Sequence, residues 1–199
     1  MVLIAAAAGY LIGSVPTAVW LGNLWGVDLR RDGSGNPGAN NARRLGGYTL
    51  ALLVLIVEIA KGLSAVVVGL MIADQIGGLA AGVAAVAGNV FNVWLGFHGG
   101  KGLAISGGVI IGLWPAAFPV VVIVLALASA LTRSTGMGSL VTVGVLLVLA
   151  LVWDRFGIEA NWGLDEAALR VVLILGLGLI VGPRHWQDAR QRLRTPSPG

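Results

Sequence analysis

Apolar residues gather into long runs at about 2–25, 48–72, 77–96, 103–131, 138–153 and 168–183, and short polar stretches between them hold most of the charge. A helix needs about 20 predominantly apolar residues to cross a bilayer, so each run reads as a membrane helix. Counted simply, there are six. The basic residues argue for seven, because Lys and Arg favour the cytoplasmic side. The loop 28–47 holds Arg30, Arg31, Arg43 and Arg44 and is expected inside. Loop 73–76 is then outside, and loop 97–101, with Lys101, is inside. If 103–131 crossed once, Arg133 would be outside, the acidic stretch 154–166 inside and the arginine-rich tail after Pro183 outside. If it crosses twice, every one of these falls on the favoured side. Pro115 and Pro119 supply a place to turn, and the two short halves are expected to tilt or to shelter against neighbours. The pattern therefore predicts an all-α, polytopic bundle of seven transmembrane helices, N-terminus outside and C-terminus cytoplasmic. A single domain over 1–199 is expected, with a disordered tail at about 195–199.

Composition strengthens the membrane reading. Hydrophobic residues make up 57% of the chain and charged residues 11%, against roughly a quarter charged in soluble domains. There are 31 glycines, many inside the apolar runs, where glycine lets helix backbones approach. Gly9–Gly13, Gly22–Gly26, Gly78–Gly82, Gly108–Gly112 and Gly178–Gly182 have the four-residue spacing, and some such pairs arise by chance in so glycine-rich a chain. A net charge of +4 and a pI near 10.3 could suggest nucleic acid, but the basic residues cluster in loops as the membrane reading requires. Cysteine is absent, which excludes disulfides and thiolate metal sites. The N-terminal run has no basic leader and exceeds a signal-peptide core, so it reads as a retained first span.

Four polar landmarks carry candidate chemistry. The first is the loop 32–44, whose residues 33–38 spell G-x-G-x-x-G. That motif marks a dinucleotide site only inside a βαβ unit, and here it lies between two membrane helices. What remains is a glycine-rich nest with Ser34, Asn36, Arg43 and Arg44, suited to an anion and to phosphate above all. The plainer reading is a flexible basic loop. The second is 96–102, Gly-Phe-His-Gly-Gly-Lys-Gly, immediately before a helix, where glycines, lysine and the helix N-terminus favour phosphate. The third is 133–139, and the fourth is Arg184-His185. Within the second run, Glu58 and Lys61 are three residues apart and neighbours on one helix face. Each alone would cost about 3 kcal/mol at mid-membrane, so they are expected to pair, for function or for structure.

Together these landmarks resemble the bacterial acyl-phosphate-dependent glycerol-3-phosphate acyltransferases, the PlsY family, over nearly the whole chain. Gly13-Ser-Val-Pro16 is similar to the family's first-helix motif. Gly33-Ser-Gly-Asn-Pro-Gly-Ala-Asn-Asn41, ending in Arg44, resembles GSGNxGATN…R. Glu58-Ile-Ala-Lys-Gly62 resembles DxxKG, and the stretch from Gly88 to Gly102 resembles GHxFPxFLxFKGGKG. Residues 133–139 resemble RxxSxGS, and Arg184-His185 the terminal RH. The sequence departs from these patterns at Asn89 (histidine in the family), Gly136 (serine), Asp188 (asparagine), Asn23 and His98 (lysines), and it has no counterpart of a C-terminal glutamate.

The resemblance implies transfer of an acyl group from acyl phosphate to the sn-1 hydroxyl of glycerol 3-phosphate, giving lysophosphatidic acid and phosphate in phospholipid synthesis. It implies Ser34, Arg44 and His185 as catalytic residues, and Gly35, Asn36, Gly38, Asn41, Gly99, Gly100, Lys101, Gly102 and Ser139 as phosphate-binding ones. An acyl phosphate is already activated, so no covalent nucleophile, cofactor or metal is called for, and catalysis is mostly orientation and charge stabilisation. The H-x4-D motif of acyl-CoA-type enzymes is missing, since Arg190 and Leu103 stand five places after His185 and His98. The expected partners are the two substrates and membrane lipid, with no nucleic acid and the chain a monomer. The expected setting is a bacterial inner membrane with the site on the cytoplasmic side. A catalytically weakened paralogue and a small anion or lipid-phosphate transporter are the alternatives. No inverted repeat is visible, which argues against the transporter.

Overall fold

The computed structural model describes residues 1–157 and 163–194, so the tail expected at 195–199 lies outside the described residues. Among the described residues the secondary structure is helical throughout. The α-helices are α1 (Val2–Ser14), α2 (Thr17–Leu24), α3 (Ala39–Val90), α4 (Leu103–Leu113), α5 (Phe118–Thr132), α6 (Thr135–Val152) and α7 (Ala167–Arg194). Five stretches are long and apolar enough to cross a membrane: Val2–Leu24, Ala39–Leu95, Pro115–Thr132, Thr135–Phe156 and Ala167–Arg190. Helix α4 is apolar but shorter. The chain groups into two compact units, Met1–Leu113 and Trp114–Gly199.

In the first unit, the run expected as one span at 2–25 is broken. Val15 precedes Pro16 and takes an extended ψ of 120°, because a residue before proline is pushed out of the helical region. Helix α3 is interrupted twice, at Gly47 (φ 78°) and at Ala73–Asp74, where Asp74 has φ 49°. At the second break the chain folds back on itself. Side chains added at Gly69 or Gly77 would each strike the other's backbone, and Gly82 lies against Val66. The runs expected at 48–72 and 77–96 are thus two arms of one helical hairpin, and the loop between them shrinks to its break. Helix also begins earlier than expected, at Ala39 inside the polar stretch 28–47.

Three of the five glycine pairs lie at close helix contacts. A Cβ at Gly9 or Gly13 would strike the backbone of Ala81 or Ala85, one at Gly108 the Ile59 carbonyl, and one at Gly112 or Gly82 the side chain of Val66. Gly62 answers Gly108 from the other side, facing the Ile105 carbonyl. The other two pairs are not seams. Gly22 meets Leu29 of the following loop, and among the described residues Gly26 faces open space, Gly178 touches only Val143 and Gly182 has no neighbour within 4 Å of an added Cβ.

In the second unit, Trp114 leaves helical geometry (φ −151°, ψ 65°), and a single 3-10 turn, Pro115–Ala117, leads into α5. The run 103–131 is therefore two helices divided at the prolines. Ser134 caps α6, its Oγ accepting from the Met137 N–H at 3.3 Å. At the other end of this unit Arg170, buried in α7, pairs with Asp154 and donates to the carbonyls of Leu164 (2.9 Å) and Asp165 (3.1 Å). Its guanidinium lies 5.9 Å from the centre of the Trp114 ring. Trp114 in turn stacks edge-on to Trp153 at 5.1 Å.

Candidate active site

The first loop is built around Leu29 and Asn41. Leu29 is fully buried in an apolar cluster with Ala18, Ala42, Leu50 and Val54, which anchors the loop between α2 and α3. Asn41 is buried in the first turn of α3 and its amide is engaged within the loop. Nδ2 donates to the carbonyls of Leu29 (3.1 Å) and Asp32 (3.0 Å), and Oδ1 accepts from the Ser34 N–H (2.9 Å). Gly33 and Gly35 both take left-handed φ, 64° and 67°, which glycine adopts without a steric penalty. The Gly35 N–H donates to Asp32 O (3.0 Å) and the Gly38 N–H to Asn36 O (2.9 Å). The expected cradle of bared N–H groups therefore takes another form. An ordered loop satisfies its own backbone, and here Ser34, Gly35 and Gly38 all donate inward. What faces outward is the exposed Ser34 and Arg44, the half-buried Asn36, and the N-terminus of α3, whose first N–H groups have no intrahelical acceptor.

The second loop hangs from the end of α3. The Gly99 N–H donates to Val90 O (3.0 Å) and the Gly100 N–H to Asn89 O (3.1 Å). Here too the glycine N–H groups are taken by protein, and what the glycines provide is close approach. A Cβ at Gly99 would strike the Asn89 carbonyl. One at Gly100 would stand 3.1 Å from Asn89 Oδ1 and 3.3 Å from the Pro37 carbonyl. The Pro37 contact sets the two loops side by side, and Arg30 Nη2 donates to Leu95 O at 3.4 Å to join them again. The half-buried Lys101 follows, then Gly102 and the N-terminus of α4. Each loop thus ends at the positive end of a helix, where anions are favoured.

A buried polar cluster joins three of the stretches that carry the resemblance, Gly13–Pro16, Glu58–Gly62 and Gly88–Gly102. Pro16 leaves carbonyls at the α1–α2 break short of their helical donors. Lys61 Nζ donates to the carbonyls of Gly13 (3.2 Å) and Val15 (2.7 Å) and pairs with Glu58 Oε1 at 3.0 Å. Asn92 Nδ2 donates to Ser14 O at 2.6 Å. Glu58 Oε1 also accepts from Thr17 Oγ1 (2.7 Å), and Oε2 from Asn89 Nδ2 (2.6 Å). The pairing expected of Glu58 and Lys61 is present, and it serves the broken helix. Two departures from the motif patterns meet here. Glutamate at 58 is one bond longer than aspartate, and the amide nitrogen of Asn89 lies one bond nearer its backbone than histidine Nε2, so the combined reach is unchanged.

The second unit brings the third and fourth landmarks together. Gly136, where the resemblance has serine, packs on α7. A Cβ there would stand 2.5 Å from the His185 carbonyl and 3.2 Å from both Ala189 N and Asp188 Cβ. His185 and Ser139 are both buried, and Ser139 Oγ donates to Thr135 O at 2.8 Å. Arg133 ends α5 with φ 51° and is exposed.

The sequence model of the glycerol-3-phosphate acyltransferase family matches residues 3–195. The chain belongs to that family. A glycerol-3-phosphate acyltransferase of Symbiobacterium thermophilum is 37% identical over 186 residues, covering 94% of this chain and 88% of that one. One from Synechococcus sp. (strain JA-3-3Ab) is 36% identical over 198 residues, covering 98% and 92%. Among solved structures, the fold is similar to that of PlsY, an integral membrane glycerol 3-phosphate acyltransferase, in its glycerol 3-phosphate and lysophosphatidic acid forms. Both give a TM-score of 0.79, with 24% and 23% identity, covering 97% of this chain and 92% and 91% of theirs. With five apolar helices of spanning length, this member of the glycerol-3-phosphate acyltransferase family is an integral membrane protein. Sequence reasoning missed Thr17, Asn92 and Arg170. The first two are short polar residues whose partners come from other helices; Arg170 was visible as a lone arginine in the last apolar run.

Proposed function

We propose that this protein transfers an acyl group from acyl phosphate to the sn-1 hydroxyl of glycerol 3-phosphate, as a seven-span protein of a bacterial inner membrane with its chemistry on the cytoplasmic side. The observation that carries the reading is the juxtaposition of the two loops at Gly100 and Pro37, each leading into a helix N-terminus, in a chain of this family. Both substrates carry phosphate, and the reaction needs two anions held close together. Arg44, Ser34 and Asn36 in the first loop, and Lys101 with the start of α4 in the second, supply the cations and donors, and the second loop takes the phosphate of glycerol 3-phosphate. Asn41, Gly99 and Gly100 then shape the loops, Gly35 and Gly102, both at positive φ, let the chain turn beside the anions, and Gly38 leaves room for the Asn36 amide. The hydroxyl oxygen attacks the acyl carbon, that carbon's bond to the phosphate oxygen breaks, and phosphate leaves with the electron pair. The hydroxyl proton passes to a base, the role that the resemblance gives to His185, and Ser139 keeps the phosphate-binding role that the resemblance gives it. Charge that grows on the leaving phosphate is stabilised by fixed cations.

The test is purified protein given acyl phosphate and glycerol 3-phosphate, with lysophosphatidic acid and phosphate measured. Turnover is expected with acyl phosphate and not with acyl-CoA alone. Arg44→Ala is expected to lower kcat by about 10²–10³-fold if Arg44 acts as a transition-state donor. No lysophosphatidic acid from folded wild-type protein would sink the reading, and robust turnover with acyl-CoA alone would sink the choice of donor.

A further inference from the structure

We infer that Asn89 is a positioning residue for the second loop, and that Glu58 fixes it; the inference rests on the acyltransferase reading above. Asn89 stands at the end of the second hairpin arm. Its carbonyl accepts from the Gly100 N–H at 3.1 Å, and the next carbonyl, Val90, accepts from Gly99 at 3.0 Å. Asn89 is 9% exposed. Nδ2 donates to Glu58 Oε2 at 2.6 Å, which turns Oδ1 toward Gly100, 3.1 Å from where a Cβ would stand. Glu58 has no freedom to swing, because Lys61 and Thr17 hold its other oxygen at 3.0 and 2.7 Å. Lys61 is itself fixed to the carbonyls of Gly13 and Val15.

A line of short polar contacts therefore runs from the break at Pro16, through Lys61, Glu58 and Asn89, into Gly99 and Gly100. It ends one residue before Lys101. Asn89 never reaches an anion held by this loop, yet it sets where Lys101 and the start of α4 lie relative to Pro37. Loosening it would displace a grip that is made in the ground state and the transition state alike. Such a loss appears in KM, with kcat little changed, and only for the substrate that this loop holds.

Steady-state kinetics on the full-length protein in detergent, varying each substrate in turn, test this. Asn89→Ala is expected to raise KM for glycerol 3-phosphate by roughly ten- to a hundredfold, the scale of a small misplacement. KM for acyl phosphate and kcat should stay within about threefold. Glu58→Asp alone should raise the same KM. Glu58→Asp combined with Asn89→His should restore it, since one bond is removed on one side and added on the other, and a coupled pair is non-additive. A folded wild type that makes no lysophosphatidic acid overturns the acyltransferase reading and this inference with it. With an active wild type, unchanged KM values in Asn89→Ala overturn the inference alone, as does an equal rise for both substrates. If Asn89→Ala does not fold, the double variant decides: wild-type KM upholds the pair, and a raised KM or an unfolded protein overturns it.

Discussion

Lys61 acts as a tethered cation. Three oxygens surround its ammonium, two of them backbone carbonyls released by the break at Pro16 and the third the Glu58 carboxylate. Lys61→Met keeps most of the stem and removes the charge. Two carbonyls then lose a donor, which in a membrane protein is worth about 0.6 kcal/mol each on average. The stranded Glu58 carboxylate matters more, since removing one partner of a buried pair costs about 3–5 kcal/mol. Thermal unfolding in detergent should therefore show a large fall in Tm for Lys61→Met and a smaller one for Lys61→Met with Glu58→Gln. A double variant as unstable as the single, or more so, would mean that the charge is not what the site must satisfy. The pair itself was legible in the sequence, three residues apart on one helix face. Its purpose was not, because its partners Gly13, Val15, Thr17 and Asn89 stand 31 to 48 positions away. The two loops were legible in the same partial way. Glycine spacing marked them correctly, but nothing in that spacing revealed that Asn41 and the Asn89 carbonyl would draw their N–H groups inward.

The helices of the first unit are joined along glycine seams, and there the sequence signal was ambiguous by nature. A four-residue glycine spacing says that a backbone could approach, not that one does. Gly62 and Gly108 face the backbones of Ile105 and Ile59, so a methyl group at either forces α4 away from the first hairpin arm. Gly62→Ala or Gly108→Ala should lower Tm and the yield of folded protein, by about 1–3 kcal/mol if they behave as overpacked sites. Gly144 and Gly182 face open space within their own unit. Gly144→Ala and Gly182→Ala should leave stability within about 1 kcal/mol of wild type, with any shift favouring alanine as the better helix former. Equal losses at all four positions would show that glycine matters here for backbone flexibility and not for packing. The breaks divide along the same line. That at Pro115 was expected, because proline dictates its neighbour's backbone; Pro16 carries the same signal, yet the run 2–25 was expected unbroken because its apolar pattern continues through the proline. The fold-back at Ala73–Asp74 was visible only as a polar interruption, and its tightness comes from Gly69 meeting Gly77, which no local pattern records.

At the scale of the whole molecule the open quantity is how many times the chain crosses the bilayer, and α4 decides it. Its 11 residues rise about 17 Å at 1.5 Å each, well short of a hydrocarbon core of about 30 Å. A lone helix of that length would leave polar backbone ends in lipid, each unsatisfied group costing several kcal/mol. Helix α4 is not alone, because Gly62 and Gly108 press it against the first hairpin arm and bury most of its residues. Sheltered this way, a short helix can complete a crossing that it could not make by itself. The charges then choose the outcome. If α4 and α5 each cross, Arg133 and the arginines after Pro183 lie in the cytoplasm and the stretch around Asp154 lies outside, as the positive-inside bias favours. If they cross as one, all three are on the disfavoured side. A reporter that is active only in the cytoplasm should therefore work when fused after Gly199 and fail when placed at Gly157, while a periplasmic reporter shows the reverse. The reverse pattern, Gly157 inside and the end of the chain outside, would mean that α4 and α5 cross as one, and both positions reporting the same side would leave no room for the single helix, α7, that separates them; either result would require the seven-span topology to be abandoned.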